Sequence, residues 1–139
     1  MREIIFRGKR LDSGEWAEGN LVVKKDPFLE IDYCFILAQG KGDSFVTWHK
    51  VDPATVGQYT GLTDKNGKKI FEGDILSTHF DFNYPEVESR TVVEWGNFRW
   101  VTHQPGYEPD EITDFDKGLW TVIGNIHDNP ELMEGERHG

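Results

Sequence analysis

Residues 59–76, YTGLTDKNGKKIFEGDIL, place Asn66-Gly67 between two short apolar runs and close on Glu72-Gly73-Asp74. Two readings compete for the stretch: a ligand-cradling loop, or the elbow of a small β-barrel. A phosphate cradle needs more glycines and a helix directly behind them, because the anion is held by backbone N–H groups at a helix N-terminus. Neither feature is in the sequence here. Asn66-Gly67 is instead the pair favoured where both central residues of a hairpin turn take φ > 0. Val56 to Leu62 and Lys68 to Glu72 therefore read as the arms of a hairpin. Gly73 can bend the chain, Asp74 can hydrogen-bond the turn, and Ile75 and Leu76 restart a strand.

Outward from that elbow, β-branched and aromatic runs recur between Gly, Pro, Asn and Asp punctuation, and helical periodicity is hard to find. Asp12-Ser13-Gly14 separates Glu3–Arg7 from Trp16–Lys24, giving a first hairpin. Tyr33 to Ala38 reads as a fully buried strand. Phe45 to Val51 follows as another, and Asp52-Pro53 ends it because proline cannot donate to a ladder. Ala54 and Thr55 suit one helical turn. Gly96-Asn97 reads as a two-residue turn between Thr91–Trp95 and Phe98–Thr102, with Trp95, Phe98 and Trp100 assigned to an inner face by alternation. Trp120 to Ile126 supplies a last strand, and Asn129-Pro130-Glu131-Leu132 carries the capping residue and first-turn proline of a short helix. Residues 81–90 and 103–118 are left irregular. The second of these is acidic, with Glu108, Asp110, Glu111, Asp114 and Asp116.

Bulk properties narrow the function classes. A chain of 139 residues buries roughly two-thirds of its unfolded surface, so it needs no disulfide framework. Cys34, the one cysteine, lies inside an apolar run and reads as a small buried hydrophobe. The first ten residues lack the apolar centre of a secretory signal, which predicts the cytoplasm. No run approaches the roughly 20 apolar residues of a membrane span. The net charge of −10 and pI of about 4.9 disfavour nucleic acid, whose affinity comes from cations that displace phosphate counterions. Local cations at Arg2, Arg7, Lys9 and Arg10 and at Lys65, Lys68 and Lys69 leave that route open, and an acidic surface also allows imitation of DNA.

The segments Arg2-Glu3-Ile4-Ile5-Phe6-Arg7-Gly8-Lys9, Trp16, Gly19, VGQYTGLTDKNGKKIFEGDIL (56–76) and VIGNIHDNPELME (122–134) resemble the YopX family across most of the chain. The resemblance implies a mainly β fold with a partly open barrel similar to SH3-type barrels. It also implies a protein encoded by a bacteriophage or prophage, acting in the cytosol of a bacterial host. It implies no activity and carries over no catalytic or binding residue. Combined with the strand pattern, it gives a small N-terminal β subdomain over 1–62, an SH3-like barrel subdomain over 63–139 and a short C-terminal helical turn, or else one continuous domain.

Candidate chemistry is sparse. The histidines at 49, 79, 103, 127 and 138 are scattered, and only His79-Phe80-Asp81 puts two ligand types on one strand face, short of the four a structural zinc site takes. Ser13, Ser44, Ser77 and Ser89 lack a nucleophile-elbow context. The acidic loop reads as solvated rather than as an acid–base pair, which needs a buried carboxyl, and it lacks the spacing of a calcium loop. No enzyme, cofactor or metal is expected. Five tryptophans serve the core first, while Trp48 and Tyr59 stand out as candidates for exposed aromatics. Trp48, Tyr59, Asp110, Glu111 and Asp114 are therefore the candidate partner-binding residues. The function expected is a non-catalytic module that engages a host or phage protein, or itself as a homo-oligomer. The alternative is an accessory to phage DNA metabolism, as a nucleic-acid binder or an acidic DNA mimic.

Overall fold

The computed structural model describes residues 4–39, 45–79, 83–84, 86–96, 99–103, 110–111 and 120–134, with the backbone only at 39, 96, 99–103 and 110–111. The chain is mainly β, its sheets are antiparallel, and it divides into two units, residues 1–59 and 60–139. The division falls inside strand β5 (Gly57–Thr63).

In the N-terminal unit, β1 (Phe6–Lys9), β2 (Trp16–Asp26), β3 (Ile31–Gln39) and β4 (Val46–Val51) precede a 3-10 turn at Pro53–Thr55, and the neighbours run β4-β3-β2-β1-β5. The first hairpin turns at Gly14, φ 76°, as the Asp12-Ser13-Gly14 punctuation requires. Strand β2 pairs with β1 up to Phe6↔Gly19 and with β3 from Asn20↔Leu37 onward. The switch of partner needs a bend, and Gly19 supplies it: a Cβ there would lie 2.0 Å from the Leu37 carbonyl oxygen. Glycine inside a strand marks such a corner. The far end of β4 returns to β1, with the Leu11 N–H donating to Lys50 O at 3.0 Å and the Asp52 N–H to Lys9 O at 2.9 Å. Ala17, Cys34, Ile36 and Val51 form the enclosed core, joined by Phe6, Leu21 and Val56.

Strand β3 departs from its sequence reading. Cys34 and Ile36 are buried, but Tyr33, Phe35 and Leu37, which alternate with them, are only partly covered. An uninterrupted apolar run does not say whether one face or both are covered, and here it is one.

In the C-terminal unit, Thr60–Thr63 of β5 and β6 (Lys69–Phe71) form the hairpin of the opening stretch, followed by β7 (Asp74–Thr78), β8 (Ser89–Gly96), β9 (Arg99–His103), β10 (Asp110–Glu111), β11 (Thr121–Asn125) and helix α1 (Glu131–Glu134). The five-stranded sheet runs β10-β9-β8-β7-β11. A meander whose first strand also pairs with the last is the connectivity of an SH3-type barrel, and among the described residues the two outer strands, β10 and β11, do not pair to close it. Ile70, Leu76 and Val93 make its core, packed by Leu62, Trp120 and Val122.

The elbow is as the sequence indicates at Gly73, φ 91°, and at Asp74, whose Oδ2 accepts the Phe71 N–H at 2.7 Å. The hairpin before it differs. Only Gly67 takes positive φ, at 81°, while the Asp64 N–H donates to Lys68 O and the Gly67 N–H to Asp64 O. That is a three-residue loop with glycine in the left-handed position, not a two-residue turn centred on Asn66-Gly67. Asp64 selects it, because its Oδ1 accepts the N–H groups of both Asn66 (2.8 Å) and Lys68 (2.9 Å).

Two further expectations shift. Gly96, expected in the turn, is the last residue of β8 and pairs with Arg99, while Asn97 and Phe98, expected in the turn and in a strand, lie outside the described residues. Trp95 shares its face with buried Thr91 and Val93 yet is 49% exposed, because it sits one residue from the strand end, opposite Trp100. Within the acidic stretch read as irregular, Asp110 and Glu111 pair with Thr102 and Val101 as an edge strand.

Candidate functional site: an aromatic face on strands β2, β3 and β4

Opposed residues in an antiparallel ladder share a face, and successive residues alternate. The register that sends Cys34, Ile36 and Val51 into the core therefore turns the other set outward. From β2 these are Val22 and Lys24; from β3, Tyr33, Phe35 and Leu37; from β4, Val46, Trp48 and Lys50. Val46 is 47% and Trp48 52% exposed. Phe35 and Trp48 meet edge to face, centroids 5.7 Å apart and planes at 68°. The Lys50 ammonium lies 4.3 Å from the Tyr33 ring centroid, a cation–π contact. Asp26, opposite Ile31, closes the same row, so the face carries two lysines and one carboxylate, although the whole chain has 25 acidic and 15 basic residues. That carboxylate is turned to its own hairpin, where Asp26 Oδ1 accepts the N–H groups of Phe28 and Leu29.

At the far end of the β2–β3 hairpin, Phe28 is 92% and Leu29 63% exposed. Strand β4 has β3 on one side only, and among the described residues no strand pairs with its outer edge ahead of the Arg10–Val51 bridge.

Of the candidate partner-binding residues, Trp48 lies on this face. Tyr59 does not: it is buried at 7% exposure, and its N–H donates to Ile5 O at 2.8 Å. The glycines at 57 and 61 shape β5, which is hydrogen-bonded to β1 through Gln58↔Phe6 and Gly57↔Arg7; they do not uncover the ring. The backbones of Asp110 and Glu111 belong to β10, and Asp114 lies outside the described residues. Tyr33, Phe35, Lys24 and Lys50 were not singled out by sequence, and the signal that could have found them is the pairing of an alternating strand with an edge strand.

Two titratable groups elsewhere, Cys34 and Glu88, are tied down. Burial, with Asp32 behind it, pushes the Cys34 thiol up and keeps it protonated. The Ser77 hydroxyl donates to Glu88, which also pairs with Arg90 at 2.9 Å, and the Arg90 Nη1 donates to Leu132 O at 2.8 Å. The Arg90 bond, opposed by burial and aided by Ser77, holds the Glu88 carboxyl below its usual range. A carboxylate so held is a poor general base near neutral pH, and the group acts as a clasp between β7, β8 and α1. Among the described residues, no three of His, Cys, Asp and Glu come together as metal ligands. His79 is described and exposed, while Phe80 and Asp81 lie outside the described residues. No described helix is long and apolar enough to cross a membrane.

The fold and face define a mainly β protein with an open SH3-type sheet and a second antiparallel unit. The chain belongs to the YopX family: the model of that family, described as YopX protein, matches residues 5–134. Protein EF1440 from Enterococcus faecalis is similar in structure, with a TM-score of 0.60 and 26% identity over 96% of this chain and 99% of its own. The yopX protein of Bacillus subtilis has a TM-score of 0.55 and 15% identity over 97% and 98% of the two chains, which shows a shared fold. No curated protein matches the chain.

Proposed function

We propose that this is a bacteriophage- or prophage-encoded, non-catalytic protein-interaction module that works in the cytosol of its bacterial host. The observation that carries the reading is the outward face of β2, β3 and β4. There Trp48 and Val46, about half exposed, extend a partly covered apolar surface of Phe35, Tyr33 and Leu37 to the sheet edge. Aromatic side chains contribute large contact area when a partner covers them, and such residues dominate interface energies. The cation–aromatic pair of Lys50 and Tyr33 supports a second reading, an accessory to phage DNA metabolism, since single strands bind to rings flanked by cations.

The test is affinity capture from host lysate, with and without nuclease, on the native protein and on Trp48→Ser. Capture of a defined protein that survives nuclease and is lost in Trp48→Ser supports the module. Retention abolished by nuclease and weakened steeply by salt supports the second reading and overturns the first.

A further inference from the structure

We infer that the outer edge of β4 and its aromatic face receive an extended acidic peptide, added to the sheet as another strand. This rests on the interaction-module reading and names the partner's chemistry.

The edge provides the first half of the argument. An exposed strand edge is a template for another chain, and proteins blunt it with charges, proline, bulges or a covering element. Val46, Thr47, Trp48 and His49 include no Lys, Asp, Glu or Pro, and the β3–β4 register runs without a bulge from Cys34↔Val51 to Gln39↔Val46. At the other end of the strand, Lys50 O is taken by the Leu11 N–H. The unblunted stretch is thus a few residues long, the length over which a peptide adds main-chain bonds while its alternate side chains choose the face.

Charge provides the second half. Lys24 and Lys50 bracket Tyr33 and Phe35, in a chain of net charge −10, and the carboxylate that shares their face, Asp26, lies at the far end of β2 from the edge strand with its Oδ1 engaged by the Phe28 and Leu29 N–H groups. A strand laid along β4 would place its inward side chains beside Trp48 and Val46 and bring acidic residues toward Lys50. A polynucleotide fits less well. Its affinity grows with the number of phosphates neutralised, and this face offers two lysines. The Lys50 ammonium already covers the Tyr33 ring, and Phe35 and Trp48 meet at 68°, which leaves an apolar notch in place of a flat stacking platform.

The experiment is an amide-resolved NMR titration of the full chain with a short synthetic peptide of alternating Glu/Asp and Val/Phe. Comparisons are its lysine counterpart, a backbone N-methylated version and a short oligothymidylate. The acidic peptide is expected to shift the amides of Val46 to His49 and slow their hydrogen exchange, whereas the lysine and N-methylated peptides do neither. Lys24→Glu combined with Lys50→Glu weakens binding by about tenfold or more, as loss of charge complementarity does, while Lys24→Arg combined with Lys50→Arg keeps it. Equal binding of the N-methylated peptide, shifts confined to other strands, or displacement by oligothymidylate each overturn the strand site. If native and double-lysine variants retain the same host protein from lysate while the peptide leaves β4 untouched, this inference fails and the module reading stands. Failure of both the peptide and the capture removes both.

Discussion

Two hairpins of this protein use the same local chemistry to different ends. At Asp64, Oδ1 accepts the N–H groups of Asn66 and Lys68, the Gly67 N–H closes the turn on Asp64 O, and Gly67 takes the left-handed position at φ 81°. At Asp26, Oδ1 accepts the N–H groups of Phe28 and Leu29, the Glu30 N–H closes on Asp26 O, and Glu30 takes that position at φ 55°. The difference is reach. Asp64 is 5% exposed, and its second oxygen accepts the Val122 N–H at 2.9 Å from β11, 58 residues away. The Asp26 turn holds a tip whose Phe28 is 92% exposed. An aspartate that organises a turn becomes structural for a whole unit only when the fold brings a distant donor to its other oxygen.

Mutation should separate the two sites. Asp64→Ala takes the acceptor from three partly buried backbone N–H groups and should cost about 2–4 kcal/mol, since each orphaned donor carries its own desolvation penalty. Asp26→Ala exposes two donors to water and should cost about 1 kcal/mol. Equilibrium urea unfolding reads both, and equal losses would break the contrast.

The Asp64 carboxyl gives the contrast a pH signature. Burial alone would raise its pKa, but the N–H groups of Val122, Lys68 and Asn66, with the charge of Lys68, together hold it below the usual carboxylate range. Its folded value is thus lower than its unfolded one. The stabilisation is present above the unfolded value of about 3.9 and is lost as pH falls through the folded value. Urea midpoints taken from neutral to acid pH should fall more steeply below about pH 4 for the native chain than for Asp64→Asn. Parallel curves would exclude Asp64 as the cause.

Smaller effects belong to the left-handed residues. A Cβ at Gly67 meets nothing within 4 Å, so Gly67→Ala should cost about 1–2 kcal/mol from backbone strain alone. Glu30→Gly runs the other way. It relieves a similar strain but loosens the unfolded chain, for a net gain of about 0.5 kcal/mol. Thermal unfolding of the two variants should move the midpoint in opposite directions.

Legibility followed the same division. Asn66-Gly67 and Glu72-Gly73-Asp74 are readable because glycine at positive φ and a turn-bonding aspartate are local requirements, and the elbow stands as read. The hairpin at Asp26 was missed because glutamate is not a left-handed signal. Tyr59 was misplaced because glycine neighbours say nothing about which strand pairs alongside, and Trp95 because alternation gives a face but not its distance from the strand end. Tyr33 and Phe35 look like core in a run of apolar residues. Only the one-sided core of Cys34, Ile36 and Val51, together with the edge position of β4, turns them outward.

What the sequence by itself determined is therefore the class and the punctuation: a mainly β chain of the YopX family, its elbow at Gly73-Asp74 and its short terminal helix. These depend on φ preferences, hydrogen bonds between near neighbours and a family pattern spread over the chain. The tertiary structure alone decided the partner of Asp64, the burial of Tyr59 and the outward turn of Tyr33 and Phe35. Each depends on which strand lies alongside which, and that is set by packing between residues far apart in the chain.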